Sequence, residues 1–146
     1  INEDNLYINT DFDKVIDIAK RRNIQVVERP SHLAGDKVWT QPVINHTEDE
    51  LGGLDDEDII VILQANSPQI TSEKIDECID MLIDNDLFEV HTIDSTMINN
   101  GAIQVIKRKV REQKGKVCYN GVVMADWIDV HTIEDVNKIG ELWKQR

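Results

Sequence analysis

Two stretches of the sequence carry residues whose types and spacing suit chemistry. Asp129 and His131 flank Val130 at the end of Trp127-Ile128-Asp129-Val130, which reads as a strand. Residues i and i+2 of a strand point to one face, so both side chains could reach one divalent ion. A carboxylate suits Mg²⁺, which otherwise keeps waters and phosphate oxygens around it; an imidazole is a softer ligand. The plainer reading is that the pair only closes the strand before Thr132 starts a helix. The second stretch is Gln64-Ala65-Asn66-Ser67-Pro68, a polar loop leaving the apolar run Ile59-Ile60-Val61-Ile62-Leu63. In open α/β sheets ligands bind beyond the carboxyl ends of the strands, which makes this loop a candidate site. A simple connector is the alternative.

Other chemistry is sparse. The sequence contains no Gly-rich phosphate loop, CxxC pair, HExxH or GxSxG. His32, His46 and His91 are scattered, as surface or capping histidines are. The one basic cluster, Lys107-Arg108-Lys109 with Arg111, Lys114 and Lys116, suits a solvated helix face or a contact to a phosphate or carboxylate. A net charge of −12 argues against nucleic-acid binding, which needs clustered cations on phosphates. The two cysteines, Cys78 and Cys118, make no disulfide framework and fit a reducing, cytoplasmic compartment. No apolar run approaches the ~20 residues of a membrane span, and no signal peptide is visible. At 146 residues and 40% hydrophobic, the chain is expected to form one α/β domain over 1–146 with one core. It opens at Ile1, inside a polar segment, which hints at a missing upstream portion.

The elements that must position these residues follow from periodicity. Leu6-Tyr7-Ile8 is a short strand ending at Asn9. Thr10 and Asp13 have capping-box spacing before a helix with Phe12, Val15, Ile16 and Ala19 on one face. A strand over 24–27 ends at Arg29-Pro30, and a helix carrying Val38, Val43, Ile44 and Leu51 stops at Gly52-Gly53. The run 59–63, apolar on both faces, predicts a strand buried in a parallel sheet. Thr71 caps a helix burying Ile75, Cys78, Ile79, Leu82 and Ile83. Strands are expected at 89–93, 102–106, 122–124 and, more strongly, 127–130, with a basic helix from Lys107 to about Gln113. Thr132 and Asp135 repeat the capping-box spacing before a last helix burying Ile133, Val136, Ile139 and Trp143. Alternating strands and helices predict a three-layer, mostly parallel Rossmann-like sheet with helices on both faces.

Five segments, in order, resemble one family. Ile8-Asn9-Thr10-Asp11 resembles an STD strand end. Arg29-Pro30-Ser31-His32-Leu33-Ala34-Gly35-Asp36 resembles an RP-x-x-LA-x-D loop, and Leu63-Gln64-Ala65-Asn66-Ser67-Pro68 an LQ-x-x-SP loop. Asn100-Gly101-Ala102-Ile103 resembles an NGAI motif, and Ile128-Asp129-Val130-His131-Thr132-Ile133-Glu134-Asp135 an ID-x-DT-x-ED ending. Together they look like the acylneuraminate cytidylyltransferases, which make CMP-activated nonulosonic acids such as CMP-sialic acid.

The resemblance implies a nucleotide-diphospho-sugar transferase type of fold. It also implies transfer of CMP from CTP to an acidic nine-carbon or related sugar, with pyrophosphate released and Mg²⁺ as cofactor. By that resemblance Asn9, Gln64, Asn66, Ser67, Asn100 and Gly101 bind substrate, Asp129 with His131 holds the metal, and the protein is a homo-oligomer. The sequence departs from the family's pattern in four places. It lacks the opening strand, the Gly-, Arg- and Lys-rich CTP loop and the strand–helix unit after it. It has His131 where the family has Asp. Only Asp94 to Asn99 stands where the family has a long excursion, and Gln104 replaces the aromatic that follows NGAI. These departures also fit a catalytically silent relative that keeps the crevice for binding or assembly.

Overall fold

Short apolar runs and amphipathic stretches alternate along the chain, and they fold into a mixed α/β structure. The computed structural model describes residues 5–35, 37–110 and 119–144. Those residues form four α-helices and two sheets. The chain divides into two compact units, Ile1–Leu54 and Asp55–Arg146.

In the first unit, β1 (Tyr7–Thr10) and β2 (Gln25–Glu28) pair in parallel, with Tyr7 opposite Gln25 and Thr10 opposite Glu28. The crossover is α1 (Asp13–Arg21), which buries Ala19 fully and Val15 and Ile16 in part, while Phe12 stays exposed. The expected Thr10–Asp13 capping box does not form. The N-cap is Phe12, and the Thr10 hydroxyl instead accepts from the Phe12 N–H at 3.2 Å, because the helix begins two positions too late for the reciprocal geometry. Helix α2 (Thr40–Leu51) carries Pro42 in its first turn, where a missing N–H costs no intrahelical bond. It ends at Gly52, whose φ of +60° is a conformation that glycine adopts without penalty.

The second unit holds a four-stranded sheet in the order β3 (Ile59–Leu63), β5 (Asn99–Lys107), β4 (Glu89–Ile93), β6 (Asn120–Met124). Strand β5 is antiparallel to both β3 and β4, while β4 and β6 are parallel. It follows that β3, β4 and β6 run one way and β5 alone runs back between them. Helix α3 (Ser72–Asp84) covers one face: Cys78 and Leu82 meet Val90, Ile103, Val105 and Val123 in the core. The Thr71 cap forms as expected, its side chain accepting from the Lys74 N–H at 3.4 Å.

Several expectations are corrected here. Strand β3 is not the buried middle of a parallel sheet. Among the described residues it is an edge strand paired only with β5, and Ile59 and Leu63 are 36% and 41% exposed. The reason is the short Asp94–Ile98 connection, which returns β5 beside β4 as a hairpin and places it between β3 and β4. Residues 127–130 form no strand, because their backbone groups bond to loop residues instead of a ladder. Lys107 ends β5, and a 3₁₀ turn, Arg108–Val110, stands where a basic helix was expected; residues 111–113 of that helix lie outside the described residues. The basic side chains pair with acids: Lys107 with Asp86, Arg108 with Asp56 at 3.3 Å, and Lys109 with Glu57 at 2.9 Å. In α4 (Ile133–Lys144) only Ile139 is buried, while Ile133, Val136 and Trp143 are exposed; Ile83 of α3 is exposed too. Among the described residues no helix is long and apolar enough to cross a membrane.

Candidate functional site

Because β3, β4 and β6 point one way and β5 the other, the carboxyl ends of the first three lie with the start of β5 at one end of the sheet. Leu63 is opposite Ile103, and Ile93 is opposite both Asn99 and Met124. The Gln64–Pro68 loop, Asn100-Gly101 at the start of β5 and the 125–130 segment all lie at this end. Residues 24 to 66 positions apart in sequence are thereby gathered in one region.

The loop after β3 is a tight turn. The Gln64 N–H donates to the Ala102 carbonyl at 3.0 Å, and the Ser67 N–H to the Gln64 carbonyl at 3.1 Å. Three hydrogen bonds then tie this loop to the 128–130 segment. The Val130 N–H donates to the Asn66 carbonyl at 2.8 Å, the Ile128 N–H to Gln69 Oε1 at 2.8 Å, and Ser67 Oγ to Asp129 Oδ1 at 2.8 Å. Ser67 is only 2% exposed and Gln69 is buried. Water therefore cannot readily replace either side chain, and each unmade bond would leave a desolvated polar group. Asp129 Oδ2 has no hydrogen-bond partner among the described residues, and the same holds for the side-chain amides of Gln64 and Asn66. The region therefore offers two amides and one carboxylate oxygen to a polar ligand.

On the β5 side, two steps along β4 (His91 to Ile93) face five along β5 (Asn99 to Gln104). The surplus residues of β5 form a bulge, a device often found beside binding sites. Its geometry is held by Asn100. Asn100 Oδ1 accepts from Thr92 Oγ1 at 2.6 Å and from the Ala102 N–H at 3.2 Å, while Nδ2 donates to the Ala125 carbonyl at 2.7 Å. Thr92, fully buried, also accepts the Ile103 N–H at 3.1 Å. Gly101 has φ +68°, and a Cβ there would stand 2.6 Å from Gln64 Nε2, so the Gln64 amide lies directly over this glycine.

The candidate residues thus divide. Gln64, Asn66, Ser67, Asn100, Gly101 and Asp129 are gathered at one end of the second unit's sheet. Within that group Ser67 and Asn100 direct their polar atoms into the protein. Asn9 belongs to the first unit and is engaged there: Oδ1 accepts from Arg29 Nε at 2.7 Å, its carbonyl from Arg29 Nη2 at 2.9 Å, and Nδ2 donates to Thr47 Oγ1 at 2.9 Å. His131 is exposed. Its N–H, with the N–H and hydroxyl of Thr132, donates to Asp135 Oδ2, so its backbone serves the start of α4. The two-residue periodicity that would align it with Asp129 does not apply, since 127–130 is not a strand. Among the described residues no three His, Cys, Asp or Glu side chains are grouped to hold a metal ion. Sequence reasoning missed Gln69 and Thr92, two buried polar side chains whose partners lie 59 and 11 residues away. Nothing local marks them. No family model and no curated protein matches the chain.

Proposed function

We propose that the chain works as a cytidylyltransferase-like protein of the acylneuraminate type. It transfers CMP from CTP to an acidic sugar, sialic acid or a related nonulosonate, and releases pyrophosphate, in the cytoplasm and as a homo-oligomer. On this reading the chain is of the mostly parallel, three-layer Rossmann-like type. The observation that carries the proposal is the convergence of the Gln64–Pro68, Asn100-Gly101 and Ile128–Val130 motifs, far apart in sequence, at one end of the second unit's sheet. That is the end where α/β sheets bind ligands.

The reaction asks for positioning and charge neutralisation. The sugar's anomeric oxygen bonds to the α-phosphorus of CTP, the bond from that phosphorus to the bridging oxygen breaks, and the hydroxyl proton is lost to solvent. Gln64 and Asn66, whose side-chain amides have no partner among the described residues, bind sugar hydroxyls and carboxylate; Gly101 leaves room for the Gln64 amide; Asn100 fixes the bulge beside them. Asp129, whose Oδ2 has no hydrogen-bond partner among the described residues, would be the carboxylate toward a divalent cation, and His131 stands two residues on. When bound, Mg²⁺ supplies positive charge to the phosphates.

The test is calorimetric titration of the chain with CTP, with and without Mg²⁺, followed by pyrophosphate release in the presence of sialic acid. Mg²⁺-enhanced binding and turnover, with turnover abolished by Asp129→Asn, is the expected result. CTP binding without turnover would favour a silent relative that keeps the crevice for binding or assembly. His131 is the observation behind that second reading, since an imidazole brings no negative charge to offset Mg²⁺.

A further inference from the structure

Helix α4 is amphipathic, yet it leaves most of its apolar side chains in solvent. Only Ile139 is buried, whereas Ile133, Val136 and Trp143 are 65%, 48% and 51% exposed. With Gly140, those three fall at spacings of three, four and three residues, the a and d positions of two heptads. At 3.6 residues per turn the four make one stripe along the helix, with Ile139 beside it and Glu134, Asp135 and Glu141 on other faces. Gly140 adds a second observation. A glycine inside a helix weakens it, and a Cβ built at this position meets nothing within 4 Å, so the chain's own packing does not call for it. A missing side chain in the middle of an exposed apolar stripe lets a second backbone come close.

We propose that this stripe is the seam by which two copies of the chain pair, α4 against α4 and antiparallel. The stripe is symmetric about residue 138, so a two-fold axis there sets Trp143 of each copy against Ile133 of the other, and Val136 against Gly140. Large meets small beside the axis, which brings the helices together, and each indole gains an apolar cover. A parallel pair would set Gly140 on Gly140 and Trp143 on Trp143, a gap next to a crowded layer. Charge selects the same direction. Helix α4 carries Glu134 and Asp135 in its first turn and Lys144 in its last, so antiparallel copies place the basic end of each beside the acidic end of the other, with the helix dipoles opposed. No acidic side chain lies on the stripe, so the net charge of −12 is not concentrated at the seam. Two heptads bury little area, which makes this a weak, concentration-dependent pair. The inference gives the homo-oligomer proposed above an interface and does not rest on the transfer reaction.

The test measures dipolar distances between nitroxide labels on the full chain at rising concentration. The labels sit at Asn137→Cys or at Lys144→Cys, two exposed sites, with Cys118→Ser so that the buried Cys78 is the only other thiol. Paired copies are expected to give one distance at each site, and the longer one at Lys144. Residue 137 is one position from the axis and residue 144 is six, so the two labels of a pair lie about 3 Å and about 18 Å apart along the helix, at 1.5 Å per residue. Val136→Glu, and separately Ile133→Glu, is expected to abolish both distances, because each puts a carboxylate into the seam. Both side chains are exposed in the single copy, so these variants keep their fold, which thermal melts check. Ile83→Glu, the same change of charge at an exposed site on α3, is expected to leave the distances as they are. Labels that stay uncoupled up to the solubility limit overturn the proposal. A signal that survives both seam variants overturns it too, since the copies then meet elsewhere, as at the edge of β3. A distance at Lys144 no longer than that at Asn137 means a parallel pair and overturns the antiparallel seam. CTP binding and turnover are read separately, so none of these outcomes bears on the transferase reading.

Discussion

Gly101 is the residue whose identity the geometry demands most strongly. Its φ of +68° lies in the left-handed region, and the Gln64 amide occupies the space that a Cβ would need. A Gly101→Ala substitution is expected to cost roughly 1–2 kcal/mol from the backbone alone, read as a lowered urea midpoint. The clashing atom is the end of a flexible side chain, so the chain still folds, but the Gln64 amide moves. On the proposed function, turnover therefore falls by more than the lost stability explains. Unchanged kinetics in a folded Gly101→Ala protein would remove Gln64 from the site. Asn100 illustrates a different lesson at this scale. It stood in the sequence as a substrate-binding residue, yet it spends both Oδ1 lone pairs and one Nδ2 hydrogen on Thr92, Ala102 and Ala125. Spacing identifies a polar residue at the right end of a strand without revealing which way its side chain turns.

Among the elements, α4 has the most complete local signature. Asp135 Oδ2 accepts from the N–H of His131 and from the N–H and hydroxyl of Thr132, and the Asp135 N–H donates back to Thr132 Oγ1 at 3.3 Å. Thr132→Ala is expected to cost about 1 kcal/mol, the usual loss for a missing N-cap hydroxyl. The hydrogen bonds, the one from the His131 N–H above all, hold the Asp135 carboxyl below its ordinary value. The hydrogen bond from Lys107, reinforced by its charge, does the same at Asp86. Both carboxyls are more acidic folded than unfolded. Their contribution is therefore present above the ordinary carboxylate pKa of ~3.9 and is lost as the pH falls through the lowered folded values. Thermal melts are expected to show stability dropping below about pH 4, with a shallower drop in Asp135→Asn. An identical acid limb in that variant would mean the cap does not titrate with the fold. Strand β3 makes the opposite point about elements. Its bounds, 59 to 63, match the apolar run residue for residue, yet its place at the sheet edge depends on β5, which is paired through residues some forty positions away.

For the whole molecule, that edge position has a consequence. Among the described residues β3 is an edge strand with no charged residue, an arrangement that invites pairing with another chain. A net charge of −12 opposes close approach of copies at low salt and less so when screened. Sedimentation velocity is expected to show mass rising with concentration and salt, and Leu63→Lys is expected to suppress the rise, since an edge lysine resists strand addition. A monomer at every concentration and salt would refute this.

The sequence by itself determined the local elements. Strands β3 and β4 and helix α3 with its Thr71 cap are read directly from apolar runs, helical spacing and a hydroxyl at the right offset, because these signals act between residues a few positions apart. It also singled out the Gln64–Pro68 loop and Asp129 as residues suited to chemistry. Only the tertiary structure decided that β5 enters between β3 and β4 and that residues 127–130 leave the ladder to bond to the β3 loop. It likewise decided that Ser67 faces Asp129 and that Gln64 lies over Gly101. The contacts of β5 with β3, of 128–130 with the β3 loop and of Gln64 with Gly101 join residues 37 to 64 apart. No periodicity encodes such pairs, because what selects them is the burial of polar groups that must find a partner once water is excluded.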